Sequence, residues 1–317
     1  MEYVPFEKPI ADLENQIDLL RRTASSQAIN LSKEVEELEN KAFKLRQTMF
    51  DNINAYESIQ ISRHPRRPNT LELVDYMCSE FVELHGDRNF SDDQAIVGGL
   101  AKIDDKSVVI IGHQKGRGTK ENIERNFGMA KPEGYRKALR LMSLAERFSL
   151  PIVTLVDTPG AYPGIGAEQR GQSEAIGKNI MVMSRLKVPI ISVVIGEGGS
   201  GGALALAVAN KVHMLKYSTY SVISPEGCAS ILMNDASQAP AAAKSLKLTA
   251  EPAKQLGVID SIIDEPLGGA HRGPRTTANN IKLAILEGID ELSKLSGDEL
   301  RETRVNKFLE MGSSFLN

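Results

Sequence analysis

Tryptophan is absent from this chain of 317 residues, aromatic side chains amount to 5%, and there are two cysteines and five histidines. So few aromatics argue against the stacking platforms that bind single-stranded nucleic acid. Cys78 and Cys228 stand far apart and the histidines are scattered, so neither a disulfide framework nor metal-ligand spacing exists. Cys228, inside Pro225-Glu226-Gly227-Cys228-Ala229, reads as a small packed residue. That cysteine usage fits a reducing compartment. The start, Met1-Glu2-Tyr3-Val4-Pro5, lacks the basic-then-apolar order of a leader. No run approaches the ~18 apolar residues of a membrane span. A cytoplasmic protein without membrane contact is the expectation. The net charge of −3 argues against nucleic acid or an anionic membrane as a general partner.

What is present is 41% hydrophobic and 25% charged residues, the balance of a globular protein. Residues 10–60 read as a helical hairpin. Leu31, Val35, Leu38, Ala42, Leu45 and Met49 form a heptad-like seam, and an earlier helix carries Leu13, Ile17 and Leu20. Thr23-Ala24-Ser25-Ser26 is expected to separate the two. Such a hairpin either packs on its own domain or grips a partner subunit, and the sequence weighs these equally. Arg63-His64-Pro65-Arg66-Arg67-Pro68 ends this arm. A helix over 70–84 is predicted next, then strands over 96–103, 107–112, 151–157, 189–195, 212–217 and 220–223. Helices are predicted over 135–148, 173–184, 226–256 and 277–316. The strands are continuous Val/Ile runs, as in sheets covered on both faces. The units are an arm over 1–65, a main domain over 66–296 and a helical tail over 297–317.

The densest signal is Gly196-Glu197-Gly198-Gly199-Ser200-Gly201-Gly202-Ala203, between a strand and an apolar helix. Gly196-x-Gly198-x-x-Gly201 suits a dinucleotide-binding turn. That motif also wants a carboxylate about twenty residues on, and none lies between Glu197 and Glu226. A P-loop needs Gly-Lys-Ser/Thr where Gly202-Ala203-Leu204 stands. Gly198-Gly199-Ser200-Gly201-Gly202 satisfies a hydrolase nucleophile elbow, with Asp260 or Asp264 and then His271 in triad order. The bland alternative has Ser200 hydrogen-bonding backbone within a turn. The remaining reading is an oxyanion hole, in which the N–H groups of Gly201 and Gly202 stabilise charge on a ligand oxygen.

Asp157-Thr158-Pro159-Gly160-Ala161-Tyr162-Pro163-Gly164 leaves the previous strand at the same sheet edge, where open α/β folds gather their sites. Asp157 is read as a loop cap. Residues 112–140 hold eight cations against three carboxylates. Lys115 and Arg117 there are candidates to clamp phosphates. Ser224-Pro225-Glu226-Gly227 opens another helix behind a strand and is a candidate pocket wall.

Taken in order, several blocks are distinctive: His113-Gln114-Lys115-Gly116-Arg117, Arg125 to Met129, Asp157 to Gly164, Gly196 to Ala203, Tyr220 to Gly227 and Glu265 to His271. Together they closely resemble the alpha subunits of bacterial acetyl-coenzyme A carboxylase carboxyltransferase, over nearly the whole chain. The resemblance implies a crotonase-like α/β superhelix of ββα units, where strand spacing alone allows a doubly wound sheet equally well. It implies an α2β2 assembly with a beta subunit that carries a zinc ribbon, this chain holding no metal. It further implies a biotin carboxyl carrier protein that presents carboxybiotin, acetyl-CoA as acceptor, and a biotin carboxylase component that alone uses ATP. The oxyanion hole for biotin falls on Gly201 and Gly202. Gly160, Ala161, Tyr162, Pro163, Gly164, Gly199, Ser224, Pro225, Glu226 and Gly227 fall on the substrate walls, with Lys115 and Arg117 beside them. A serine hydrolase using Ser200 is the runner-up.

Overall fold

The computed structural model describes residues 3–27 and 30–313. Among them an eight-stranded mixed sheet runs through the centre. Its strands are β1 (Glu80–Glu83), β2 (Ile96–Ile103), β3 (Lys106–His113), β4 (Ile152–Thr158), β5 (Ile190–Gly199), β6 (Lys211–Leu215), β7 (Thr219–Ser221) and β8 (Ser261–Ile263). The antiparallel set β1-β2-β3 is continued by parallel β4, β5, β6 and β8. β5 is divided: Ile191–Val194 pairs with β6, and Glu197–Gly199 pairs with β7. An antiparallel hairpin at one side and a divided strand at the other distinguish this sheet from a doubly wound one.

The helices are α1 (Lys8–Gln27), α2 (Ser32–Asp51), α3 (Ala55–Ser62), α4 (Thr70–Met77), α5 (Gly118–Glu124), α6 (Pro132–Arg147) and α7 (Ile165–Gln169). They continue as α8 (Gln172–Arg185), α9 (Ser200–Leu204), α10 (Pro225–Leu232), α11 (Ala239–Leu246), α12 (Ala250–Gln255), α13 (Pro274–Leu292) and α14 (Gly297–Glu310).

Because side chains alternate along a strand, each Val/Ile run feeds two cores. Val109, Ile111, Ile152, Val156, Ile190 and Val194 meet Tyr135, Leu141 and Met142 of α6 and Met183 of α8. Val108, Ile110, Val153, Leu155, Ile191 and Val193 meet Leu73 and Val74 of α4 and Ile281, Ile285 and Ile289 of α13. Both faces of the sheet are thereby covered, which is why the strands lack polar alternation.

Several expected boundaries shift. The helix predicted over 70–84 stops at Met77, and Glu80–Glu83 turns into an edge strand whose side chains alternate between exposed and half-buried. No helix break falls at 23–26. The hydroxyls of Thr23 and Ser25 donate to the carbonyls of Leu19 and Arg21, one turn back, and the helix tolerates them. The seam Leu31 to Met49 is indeed the least exposed stripe of α2. At its base the hairpin packs on its own domain, with Ile10 and Phe50 against Ile61 and Tyr217. Glu14 joins Arg46 of the arm to Arg272 of the main domain. Farther out, Leu19 and Phe43 stay exposed. The C-terminal segment is docked rather than trailing. Fully buried Arg304 on α14 donates to the carbonyls of Met183, Leu186 and Val188 and to Asn210 Oδ1.

Candidate functional site

β4 and β5 end side by side, and the bulge between Val156 and Thr158 brings their last residues into register as Thr158↔Gly198. The strand expected to stop at Ile195 therefore continues through Gly199, and the chain turns only at Ser200. Missing side chains make this possible. A Cβ on Gly199 would lie 2.1 Å from the Pro159 carbonyl oxygen. One on Gly202 would lie 2.7 Å from the Ala161 nitrogen and 3.0 Å from the Tyr135 hydroxyl. Gly202 is buried beneath the Gly160–Ala161 peptide, while Gly201 is half-exposed with only Ile176 near its open side. Among the described residues, neither the Gly201 nor the Gly202 amide donates a hydrogen bond. They are the unengaged donors of a helix start.

Ser200 is exposed, sits in the left-handed region at φ 51°, and makes no hydrogen bond among the described residues, so it is not a backbone-bonded turn serine. With Gly201 it lines an open, mainly apolar cleft of about 280 Å³ walled by Leu204, Tyr220, Val222 and Val258. No histidine lines that cleft. His271 instead stacks on His64, centroids 3.7 Å apart and planes 8° apart. Asp260 accepts the Val212 N–H and pairs with Lys307. The triad order read from sequence is therefore not assembled around Ser200. Glu7, His64 and His271 do bring potential metal-ligand atoms within 4.8 Å of one another. Parallel stacked rings present their in-plane lone pairs side by side rather than converging, and Arg272 already pairs with Glu7.

The Gly160–Gly164 loop is pinned from α8: Gln172 Nε2 donates to the carbonyls of Ala130 (2.8 Å) and Tyr162 (2.9 Å). Gly199, Ser224 and Pro225 meet across a small niche with Pro159, Thr219 and Arg63. Ser224 caps α10, its hydroxyl accepting the Gly227 N–H. The substrate-wall residues read from sequence thus gather at one sheet edge.

Lys115 and Arg117 line a neighbouring cleft of about 590 Å³ with Arg63, Arg66, Asp157 and Glu197. Their charges are already matched there. Lys115 Nζ lies 2.7 Å from Asp157 and 2.8 Å from Glu197. Arg117 forks onto Glu72 and also donates to the carbonyls of Pro65 and Arg67. Glu197 reaches Arg63 at 2.6 Å, and Arg63 reaches Glu226 at 2.8 Å. Burial pushes the Glu197 carboxyl up, but Lys115 and Arg63 outweigh it and hold it at about 2. Asp157 also accepts the Glu197 N–H of β5 at 2.9 Å, so among the described residues it ties two strands together and does not cap its own loop. Three further cations of the basic stretch are paired likewise: Arg125, Arg136 and Lys137 meet Glu121, Asp87 and Asp92. Sequence reasoning passed over Arg63 and Glu197 as members of this cluster. The available signal was a lone acid inside a glycine run.

The family described as acetyl co-enzyme A carboxylase carboxyltransferase-like matches residues 3–312. The chain belongs to that family. It is 56% identical over 315 residues to the acetyl-coenzyme A carboxylase carboxyl transferase subunit alpha of Vibrio parahaemolyticus, covering 98% of this chain and 99% of that protein. The protein of the same name from Marinomonas is 54% identical over 312 residues, with 98% and 99% covered. Among solved structures, transcarboxylase 12S aligns with a TM-score of 0.58 at 19% identity over 70% of this chain and 41% of that one. The beta subunit of Pseudomonas aeruginosa geranyl-CoA carboxylase aligns at 0.56 and 19%, over 76% and 46%. Those likenesses carry the fold, which is crotonase-like and not doubly wound. For a member of this carboxyltransferase family the hydrolase reading of Ser200 finds no support. Among the described residues no helix is long and apolar enough to cross a membrane.

Proposed function

We propose that this chain is the alpha half of a biotin-dependent carboxyltransferase that moves a carboxyl group from carboxybiotin to acetyl-CoA, giving malonyl-CoA. The observation that carries this reading is the full-length family match together with a turn that offers main-chain donors and no nucleophile. Carboxybiotin, presented by a carrier protein, would supply CO2 and a ureido base that takes a proton from the acetyl methyl, leaving an enolate to bond the CO2 carbon.

The chain's own residues fit that task. Gly201 holds an unengaged amide on an open cleft, and the unengaged Gly202 amide lies buried one residue on. Charge developing on the ureido oxygen would be taken up there, and removing one such donor typically costs about 3 kcal/mol of transition-state stabilisation. The apolar walls Leu204, Tyr220, Val222 and Val258 suit an uncharged bicycle. The Gly160–Gly164 loop and the Ser224–Gly227 helix start close the flanks. Lys115, Glu197, Arg63 and Glu226 tie the loop after β3, β5, the arm's end and α10 together, fixing these walls relative to the turn. Arg66 lines the same cleft, is exposed and makes no ion pair among the described residues, so it is better placed for CoA phosphates than Lys115 or Arg117, whose charges are matched.

One hole stabilises one oxygen, so a zinc-ribbon beta subunit is expected to supply the thioester hole in an α2β2 complex. Mixing the purified chain with a candidate beta subunit tests this. Malonyl-CoA-dependent carboxylation of biocytin should appear in the mixture and in neither component alone. An inactive, correctly assembled mixture would overturn the reading.

A further inference from the structure

Two buried polar side chains converge on Gly202 from beneath the turn. Tyr135, on α6, is 0% exposed, and its hydroxyl makes no hydrogen bond among the described residues. That hydroxyl stands 3.0 Å from where a Gly202 Cβ would be. His113, the last residue of β3, is likewise 0% exposed with both ring nitrogens unpartnered, and it approaches the Gly202 main chain without reaching hydrogen-bond geometry. Other buried hydroxyls nearby are paired, Thr70 Oγ1 donating to the His113 carbonyl and Thr154 Oγ1 to that of Leu206 at 2.6 Å, although Gln172 Oε1 also lacks a partner among the described residues.

We infer that Tyr135 and His113 are positioning residues for the Gly201–Gly202 turn: they do not meet the substrate, but they set the peptide planes whose amides take up its charge. This rests on the carboxyltransferase reading of the turn. Packing alone does not require the two polar groups. Tyr135 sits in an apolar core of Ala138, Leu141 and Ala203, where a phenyl ring fills the same volume. A buried hydroxyl without a partner lowers stability, so the fold by itself favours Phe there. A polar group retained at such a cost, facing main chain that must hold fixed geometry, is the mark of a site element. Burial, and then the nearby Lys115 charge, keep the imidazole neutral, so it meets the turn as a dipole and not as a cation. Burial likewise pushes the Tyr135 phenol up and keeps its proton in place as a donor. The bare Cα of Gly202 is what admits the hydroxyl.

The test is Tyr135→Phe in the assembled alpha–beta complex, with His113→Gln as a second variant and Gly201→Val as a control. For Tyr135→Phe, Tm should stay level or rise while kcat falls about tenfold and KM for acetyl-CoA holds, the pattern of an interaction tightened only in the transition state. A mere packing role would leave kcat alone, and a kcat within twofold of the parent would overturn the inference. The control separates the two readings. If Gly201→Val retains activity, the oxyanion reading of the turn falls and this inference falls with it. If Gly201→Val is dead and Tyr135→Phe is like the parent, only the positioning role is refuted. Should His113→Gln misfold, Tyr135→Phe still decides.

Discussion

Two neighbouring parts of one sheet edge use opposite chemistry. Around Ser200–Gly202, side chains are nearly absent and the Gly201 and Gly202 amides are left unengaged, Gly201 on the wall of a cleft and Gly202 buried behind it. One strand away, Lys115, Asp157, Glu197, Arg63 and Glu226 are wholly occupied with one another. Charged residues are usually the first candidates for chemistry. On the carboxyltransferase reading proposed above, they hold the walls and the glycines meet the ligand. A charge already matched within the protein has less net field to offer a substrate.

The sharpest way to break this contrast is at Gly201. The space beyond its Cα is open, the nearest atom to an added Cβ being Ile176 Cγ2 at 3.7 Å. Gly201→Val is therefore expected to fold with Tm near the parent's while carboxyl transfer drops by about a thousandfold, since the branched side chain blocks the ligand oxygen. Gly202→Val is a different experiment, because its Cβ collides with the Gly160–Ala161 peptide. It should lower Tm as well as activity. Circular dichroism melts alongside the biocytin assay distinguish the two.

Glu197→Gln attacks the other region. It leaves Lys115 with one carboxylate in place of two and Arg63 with Glu226 alone. Removing one member of a largely buried ionic cluster should destabilise the chain by about 3 kcal/mol, measured by urea unfolding. The Glu197 carboxyl, held at about 2 in the fold against an ordinary 4.5, contributes stability that is complete above pH 4.5 and lost as pH falls toward 2. The variant should lose that part of the acid dependence.

His113 sharpens the comparison from below. Burial and the Lys115 charge hold its imidazole at about 3 against an ordinary 6.5. The unfolded chain therefore binds a proton that the folded chain refuses. Stability is complete above pH 6.5 and declines below it, by about 1.4 kcal/mol per pH unit until pH nears 3. His113→Gln should flatten the pH 4–6 slope by that amount. An unchanged slope would mean the ring is protonated in the fold.

How much of this was legible in the sequence follows from what each feature depends on. Continuous Val/Ile runs announced β2 to β5, because a strand covered on both faces has no polar alternation. The glycine run announced the turn, because few residue types other than glycine permit such close backbone approach. β1 and β8 were missed: each is three or four residues whose strand character comes only from pairing with distant β2 and β6. The extension of β5 to Gly199 depends on the bulge opposite Thr158. The ionic cluster spans Arg63 to Glu226, and nothing local tells Lys115 that its partners are Asp157 and Glu197. The heptad seam was visible, but the anchoring of the arm through Glu14 to Arg272 is again a long-range fact.

The smallest effects are expected at Ser200, and they discriminate best between the two chemistries considered. Its φ of 51° is a conformation that costs a non-glycine residue roughly 1 kcal/mol, which glycine avoids. Ser200→Gly relieves that cost but enlarges the unfolded ensemble by a comparable amount, so stability should move by only a few tenths of a kcal/mol. Ser200→Ala removes a hydroxyl that is exposed and makes no hydrogen bond among the described residues. Carboxyl transfer by the complex should then stay within about twofold of the parent, because the charge is met by amides that both variants keep. A nucleophile in that position would lose several orders of magnitude on the same change. Covalent labelling by a fluorophosphonate probe, abolished in Ser200→Ala, would return the turn to hydrolase chemistry. Absence of labelling, with activity retained, leaves the work to the main chain.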